Sequence, residues 1–222
     1  MQLFLDSADT HEIKFWLGQG VLDGVTTNPS VLARDGVVDV AAALRSLVSL
    51  VSPGILHAEV TQECGQALVD EATALHALGE NVVVKVPVLT PSGAPCLGEI
   101  HELAEAGVRV NATACLSLGQ AALAAKAGAA YVSVLVGRID DEGGDGAEVV
   151  VELRRWLDLW GYPTRIVAAS LRGAADVRRA LAAGAHCVTA PPAALARTSD
   201  HKYSRHTVQE FLDAARTSAA TL

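Results

Sequence analysis

The stretch NVVVKVPV, residues 81 to 88, sets a single lysine, Lys85, inside an otherwise apolar run bounded by Asn81 and interrupted by Pro87. A valine-rich run of this length reads as a strand of a parallel sheet with both faces covered by helices. An ammonium there must find a carboxylate, reach water at the strand end, or serve as a neutral amine, the form that attacks a carbonyl carbon. The stretch alone leaves these readings open. Groups that could work with such an amine stand at the ends of other apolar runs: the carboxylates Asp6 and Glu59, the amides Asn28 and Asn111, and the hydroxyls Thr27, Thr113, Ser133 and Ser170. Arg138 and Arg172 lie just beyond two of these runs. A lysine among such groups is equipped for imine chemistry: the amine attacks a ketone, a carboxylate and water move protons, and amides hold hydroxyls. The guanidinium forks suit phosphate oxygens. Surface salt bridges are the alternative for them, since DDEGGD (140–145) follows Arg138 closely.

Eight β-branched runs could position these groups: LFLDS (3–7), GVTTN (24–28), ILHAEV (55–60), NVVVKV (81–86), VRVNAT (108–113), YVSVLVG (131–137), RIVAAS (165–170) and CVTA (187–190). Helical Ala/Leu-rich patterns such as TQECGQALVDEATALHALG and SLGQAALAAKAGA separate them. No linker or composition break divides the chain. The alternation predicts an α/β fold, a single-domain (β/α)8 TIM barrel over residues 1–222, compact beside the roughly 250 residues usual for that fold. In such barrels chemistry sits at the C-terminal ends of the strands, where the polar residues above fall. The alternative is an open doubly wound sheet, whose phosphate loop should follow the first strand as GxGxxG; LDSADTHE lacks it. An extra C-terminal helix, about 204–218, carries an apolar face with Val208, Phe211 and Leu212, and is expected to pack on its own barrel or on a neighbouring subunit.

In the stretches LDSAD, GVTTNPS, KVPV, NATACLSLGQAALAAKAGAAYVSVLVGRIDD, and AASLR with TAPP, the chain resembles the transaldolase family, in particular its short bacterial subfamily, which also contains fructose-6-phosphate aldolase. The resemblance runs in order from the first strand to the last helix. It implies a class I, Schiff-base enzyme on a (β/α)8 barrel, needing no cofactor and no metal, with Lys85 forming the imine. It makes Asp6 the acid/base carboxylate and gives Glu59 and Thr113 the positioning of a catalytic water. Thr27, Asn28 and Asn111 hold the substrate, Ser133 lines the pocket, and Arg138, Ser170 and Arg172 grip the phosphate. It also implies a homo-oligomer, a pentamer or decamer, built by docking the last helix on a neighbour. The reaction implied is transfer of a dihydroxyacetone unit from fructose 6-phosphate or sedoheptulose 7-phosphate to an aldose phosphate, as in the pentose phosphate pathway.

Two positions separate the branches of that family. The aldolases carry a glutamine on the third strand and a tyrosine on the sixth; here stand Glu59 and Leu135, which favour transfer over release of free dihydroxyacetone. Transaldolases usually read Ser-Pro-Phe before the Val/Leu-Gly-Arg, where this chain has Val134 and Leu135. The change removes an aromatic wall and implies a roomier pocket. A specialised transaldolase building a longer sugar phosphate, such as an octulose phosphate in a secondary-metabolite pathway, is therefore an alternative. A fructose-6-phosphate aldolase-like enzyme and a non-catalytic phosphosugar-binding protein are the others, and a binder has no need to keep amine, carboxylates and hydroxyl together.

Composition narrows the classes. The chain has 222 residues, a net charge of −8 and no stripe of basic residues, which argues against nucleic acid and anionic membrane as partners while leaving a small sugar phosphate open. Only four lysines stand against 13 arginines, so Lys85 is conspicuous. No apolar run approaches the roughly 18 residues of a membrane span. Cys64, Cys96, Cys115 and Cys187 form no CxxC pair, and MQLFLDSADT does not resemble a signal peptide, which points to a reducing cytoplasm. Cys115 is expected to be a buried apolar residue, the DDEGGD run a solvated loop, His201 and His206 loop histidines, and Trp16, Trp156 and Trp160 helix-packing residues.

Overall fold

The computed structural model describes residues 1–219, with side chains through residue 217. Eight parallel strands, β1 (Gln2–Asp6), β2 (Gly24–Thr26), β3 (Ile55–Glu59), β4 (Val82–Pro87), β5 (Val110–Cys115), β6 (Tyr131–Leu135), β7 (Arg165–Ala169) and β8 (Cys187–Ala190), follow one another around a closed barrel, and β8 pairs back on β1. The helices are α1 (Thr10–Gly18), α2 (Pro29–Arg34), α3 (Val40–Val51), α4 (Gly65–His76), α5 (Leu97–Glu105), α6 (Leu118–Lys126), α7 (Val136–Asp141), α8 (Gly146–Trp160), α9 (Ala174–Ala182), α10 (Pro192–Ser199) and α11 (Lys202–Ala219). This is the (β/α)8 barrel that the alternation of runs predicts.

Each strand sends alternate residues to opposite sides. Outward, Leu5, Val25, Leu56, Val82, Val84, Val110, Val132, Ile166 and Val188 pack against Leu47, Leu68, Ile100, Leu103, Leu153 and Leu157 of the helices in one continuous core. Inward, Phe4, Val83, Tyr131, Val167 and Cys187 fill the lower half of the barrel with a second, separate apolar cluster. Above that plug the inward positions turn polar. Side-chain caps start five of the helices: Asp9 accepts from the first N–H groups of α1, Asn28 from Val31 of α2, Asp39 from Ala42 of α3, Ser117 from Gln120 of α6 and Asp145 from Ala147 and Glu148 of α8.

Several boundaries differ from those read in the sequence. GVTTN is strand only through Thr26, because Asn28 must leave the sheet to cap α2. YVSVLVG ends as strand at Leu135; Val136 opens α7, and Asp140 and Asp141 close that short helix rather than lying in a loop. The final helix does not pack on its own barrel: every described side chain from Lys202 to Thr217 is exposed, with Phe211 at 68%. His206 lies on that helix, 3.7 Å from Glu210, and not in a loop. Among the described residues no helix is long and apolar enough to cross a membrane.

Candidate active site

The ladder between β3, β4 and β5 places Glu59, Lys85 and Asn111 side by side, and the two-residue alternation turns all three into the barrel above its apolar plug. Lys85 is 7% exposed; its Nζ lies 2.7 Å from Glu59 Oε2 and donates to the carbonyl oxygen of Thr27 at 3.1 Å. The carboxylate partner demanded by a lysine inside an apolar strand is therefore the neighbour on β3. A buried ion pair adds little net stability, since desolvation offsets the attraction. What it does provide is a proton acceptor at bonding distance from an amine.

Asp6 ends β1 on the other side of the mouth. Its Oδ1 accepts from the Thr26 hydroxyl at 2.8 Å, and Thr26 meets Thr189 of β8 at 2.6 Å between hydroxyl oxygens. Beside it, Arg34 of α2 donates to the Asp6 carbonyl oxygen at 2.9 Å and pairs with Asp35 at 2.7 Å. Burial alone would push the Asp35 carboxyl up, but Arg34, the Ala8 N–H and the Ser7 hydroxyl donate to it and hold it at about 2. Asp35 thus ties the chain after β1 to the end of α2, a link that sequence reading missed because its partners lie 27 and 28 residues away.

Deeper in the barrel, Ser133 donates to Asn111 Oδ1 at 2.9 Å, and Asn111 Nδ2 stands 3.1 Å from His57 Nδ1. All three are buried. Thr27 turns its N–H and its hydroxyl toward the His57 carbonyl, at 2.8 and 3.0 Å. Its hydroxyl is thereby committed to the scaffold, so Thr27 meets Lys85 through its backbone. Asn28 uses its Oδ1 as the cap of α2, which leaves its amide NH2 outside that bond. His57 went unread in the sequence although the signal was there: two residues before Glu59 in ILHAE, it shares that residue's inward face.

Thr113 follows Asn111 by two residues on the same face, is 4% exposed, and makes no side-chain hydrogen bond among the described residues. Directly after it β5 bulges: the register with β6 shifts between Ala112 and Cys115, and Ala114 takes φ 58°. A bulge with a non-glycine residue in the left-handed region stores of order 1 kcal/mol, and such features gather at functional mouths. Leu135 ends β6 two residues beyond Ser133 and is partly exposed, so no phenol or aromatic ring stands at that point of the rim.

The expected phosphate group divides. Arg138 of α7 is exposed and makes no hydrogen bond or ion pair among the described residues. Arg172 instead forms a two-pronged pair with Asp141, one prong at 2.6 Å, and its guanidinium holds that carboxyl below the usual range. Arg179 takes two further acids of this segment, Asp140 at 2.8 Å and Asp145 at 2.7 Å. The salt-bridge alternative is thus realised by Arg172 and not by Arg138. Ser170 bends between them at φ 60°, and a Cβ on Gly137 would come within 2.1 Å of its carbonyl oxygen. Only glycine admits this approach, which brings the start of α7 against the end of β7.

The remaining residues are placed plainly. Cys115 is fully buried and burial pushes its thiol up to about 12, as expected of an apolar cysteine. Trp16 is buried and Trp156 stacks on Tyr162 at 4.8 Å, but Trp160 is 65% exposed rather than buried in helix packing. Among the described residues no group of three or more His, Cys, Asp or Glu could hold a metal ion. A groove of about 670 Å3 beside the mouth is lined by Phe15, Trp16, Arg34 and Pro191 among others, and Lys85 is not one of them.

Residues 3–221 match the family model described as transaldolase/fructose-6-phosphate aldolase. Full-length relatives agree. A probable transaldolase of Caulobacter sp. (strain K31) is 41% identical over 214 residues, covering 96% of this chain and 95% of its own. One of Desulforudis audaxviator (strain MP104C) is 41% identical over 213 residues, with 96% of each chain covered, and one of Phenylobacterium zucineum (strain HLK1) is 40% identical over 225 residues and all of both chains.

Proposed function

The chain belongs to the transaldolase/fructose-6-phosphate aldolase family, and from that premise we propose that it is a transaldolase working through an imine on Lys85. The observation that carries the reading is the buried Lys85 amine 2.7 Å from Glu59 at the mouth of a closed barrel. Glu59 accepts the ammonium proton, and the freed amine adds to the C2 carbonyl of fructose 6-phosphate or sedoheptulose 7-phosphate. The carbinolamine so formed loses its oxygen as water, with Glu59, Thr113 and a held water moving the protons, to leave the imine. Asp6 takes the C4 hydroxyl proton as the C3–C4 bond breaks. The electron pair of that bond passes into the imine, giving an enamine on Lys85 and a free aldose phosphate. Addition of the enamine carbon to a second aldose phosphate, with its oxygen reprotonated by Asp6, and hydrolysis of the new imine reverse these steps.

Asn28 and Asn111 hold the sugar hydroxyls and Ser133 keeps Asn111 in place, while Arg138, with Ser170 beside it, receives the phosphate and Arg172 joins when Asp141 yields. No cofactor is needed in this scheme. Four free cysteines, three of them buried, suit a reducing cytoplasm. The chain assembles with copies of itself, as a pentamer or decamer, by docking α11; its exposed Val208, Phe211 and Leu212 support this reading.

Borohydride added with fructose 6-phosphate tests the proposal. Mass mapping should find a reduced three-carbon unit on Lys85; labelling of Lys14, Lys126 or Lys202 in its place would refute it. A second reading rests on Leu135: without an aromatic ring at that rim position, a longer acceptor aldose fits, and the product is a longer sugar phosphate. A panel of acceptors from three to five carbons decides, with preference for the shortest ruling the second reading out.

A further inference from the structure

His57 is fully buried inside the barrel, between Phe4 at 4.8 Å and Tyr131 at 5.1 Å between ring centroids, both edge-on. Its Nε2 is buried without a hydrogen-bond partner among the described residues. Leaving a buried N–H unsatisfied destabilises by about 1–3 kcal/mol, and a phenylalanine in the same space would avoid it. The imidazole is therefore kept for something its other nitrogen does. That nitrogen, Nδ1, is 3.1 Å from the amide nitrogen of Asn111, whose oxygen already accepts from Ser133 at 2.9 Å. With the Ser133 hydroxyl donating to Oδ1, the Asn111 NH2 donates to Nδ1, and the imidazole carries its proton on Nε2.

Burial and the nearby cations Lys85 and Arg109 push the His57 imidazole down to about 3, so the acceptor on Nδ1 persists at any working pH. An amide held at both ends cannot rotate by half a turn. One Asn111 N–H stays committed to His57 and the other stays available beside Lys85, its neighbour across the β4–β5 ladder. Without the imidazole acceptor the amide could present oxygen or nitrogen to a substrate hydroxyl with similar ease. The backbone adds a second tie: the His57 carbonyl accepts twice from Thr27, and the Thr27 carbonyl accepts from Lys85.

We propose that His57 is a positioning residue that fixes the donor face of the Asn111 amide for the sugar, acting through the chain His57–Asn111–Ser133. This rests on the transaldolase reading above.

The test uses two substitutions in the full chain. His57→Phe keeps the ring and its edge contacts and deletes the acceptor; His57→Asn returns an acceptor where Nδ1 stands. For transfer from fructose 6-phosphate to erythrose 4-phosphate, kcat/KM should fall about tenfold or more in His57→Phe and recover to within about threefold in His57→Asn. Combined with Asn111→Ala, His57→Phe should add no further loss, because one interaction is removed twice. Additive losses, or full activity in His57→Phe, would overturn the proposal. If the unmodified protein traps no imine on Lys85, the reading of the reaction fails, and the side-chain amide signals of Asn111 in 15N-labelled protein decide the positioning alone. They should move in His57→Phe and return toward their place in His57→Asn; signals that stay put in His57→Phe would refute the contact.

Discussion

Glu59 and Lys85 are cross-strand neighbours in register on β3 and β4, and their charged ends meet at 2.7 Å inside the barrel. A parallel ladder fixes that spacing through the backbone, so neither side chain has to be held by a flexible loop.

The pair predicts how its loss will read. Glu59→Ala removes the carboxylate paired with Lys85, which in the proposed mechanism is the acceptor of the lysine proton and not a sugar contact. The turnover of fructose 6-phosphate with erythrose 4-phosphate should drop about 100-fold or more with KM changed less than about threefold, as for a group acting mainly in the transition state. Steady-state kinetics check this, and full activity in Glu59→Ala would remove Glu59 from the chemistry.

Arg138 is exposed and makes no hydrogen bond or ion pair among the described residues, so under the proposed phosphate role Arg138→Ala should act on charge. Phosphorylated donors should lose about 2 kcal/mol of transition-state binding, about thirtyfold in kcat/KM, while unphosphorylated fructose is nearly unaffected. Equal losses on both sugars would assign Arg138 to the scaffold.

In the proposed mechanism, the leucine at 135 offers no acid at the end of β6 that could protonate the enamine. The unmodified protein should therefore transfer the three-carbon unit far faster than it releases free dihydroxyacetone. Glu59→Gln with Leu135→Tyr should shift the balance toward release, measured as dihydroxyacetone formed without acceptor. Vigorous release by the unmodified chain would contradict the role given to this position.

His57 makes stability depend on pH. In the unfolded chain its imidazole takes a proton below about 6.5, whereas in the barrel it does so only near 3. The folded state is then favoured most above the first value and loses about 1.4 kcal/mol per pH unit from this group as pH falls between the two. Denaturant unfolding at pH 6 and pH 4 should show the loss, and His57→Phe should flatten it by about 2 kcal/mol or more over that range. Equal slopes in the two proteins would mean that the imidazole is protonated inside the barrel.

The exposed stripe on α11 predicts its own experiment. Phe211→Glu should leave the circular dichroism of the barrel intact and reduce the mass found by sedimentation equilibrium. An unchanged mass would show that assembly, if present, uses another surface.

Much of this fold was legible because burial writes itself into sequence with a period. NVVVKV and RIVAAS are apolar on both faces, as strands between a plug and a ring of helices must be. Boundaries were less legible: Val136 is as β-branched as the strand before it, yet it opens α7, where Gly137 packs closely on Ser170. Within the site, Lys85 announced itself by its isolation. Asn28 showed at the end of the GVTTN run, although it lies past the strand and its oxygen serves the cap of α2. The Arg172 pair could not be read, since Asp141 lies 31 residues away and reaches it only once α7 has formed. His57 could have been read by counting two residues back from Glu59, and its polar neighbour two strands on was the missing half of the signal.

The apolar plug of Phe4, Val83, Tyr131, Val167 and Cys187 makes the barrel a cup rather than a tube. A cup has one door. Whatever reaches Lys85 enters between the ends of the strands, and whatever is cut loose departs by the same opening. For a reaction that exchanges one aldose for another, the outgoing fragment must clear the doorway before its replacement arrives, so the two aldoses cannot queue at opposite ends. Under the proposed reaction, the leaving and the incoming aldose share the one opening above that floor of five side chains and should compete for it.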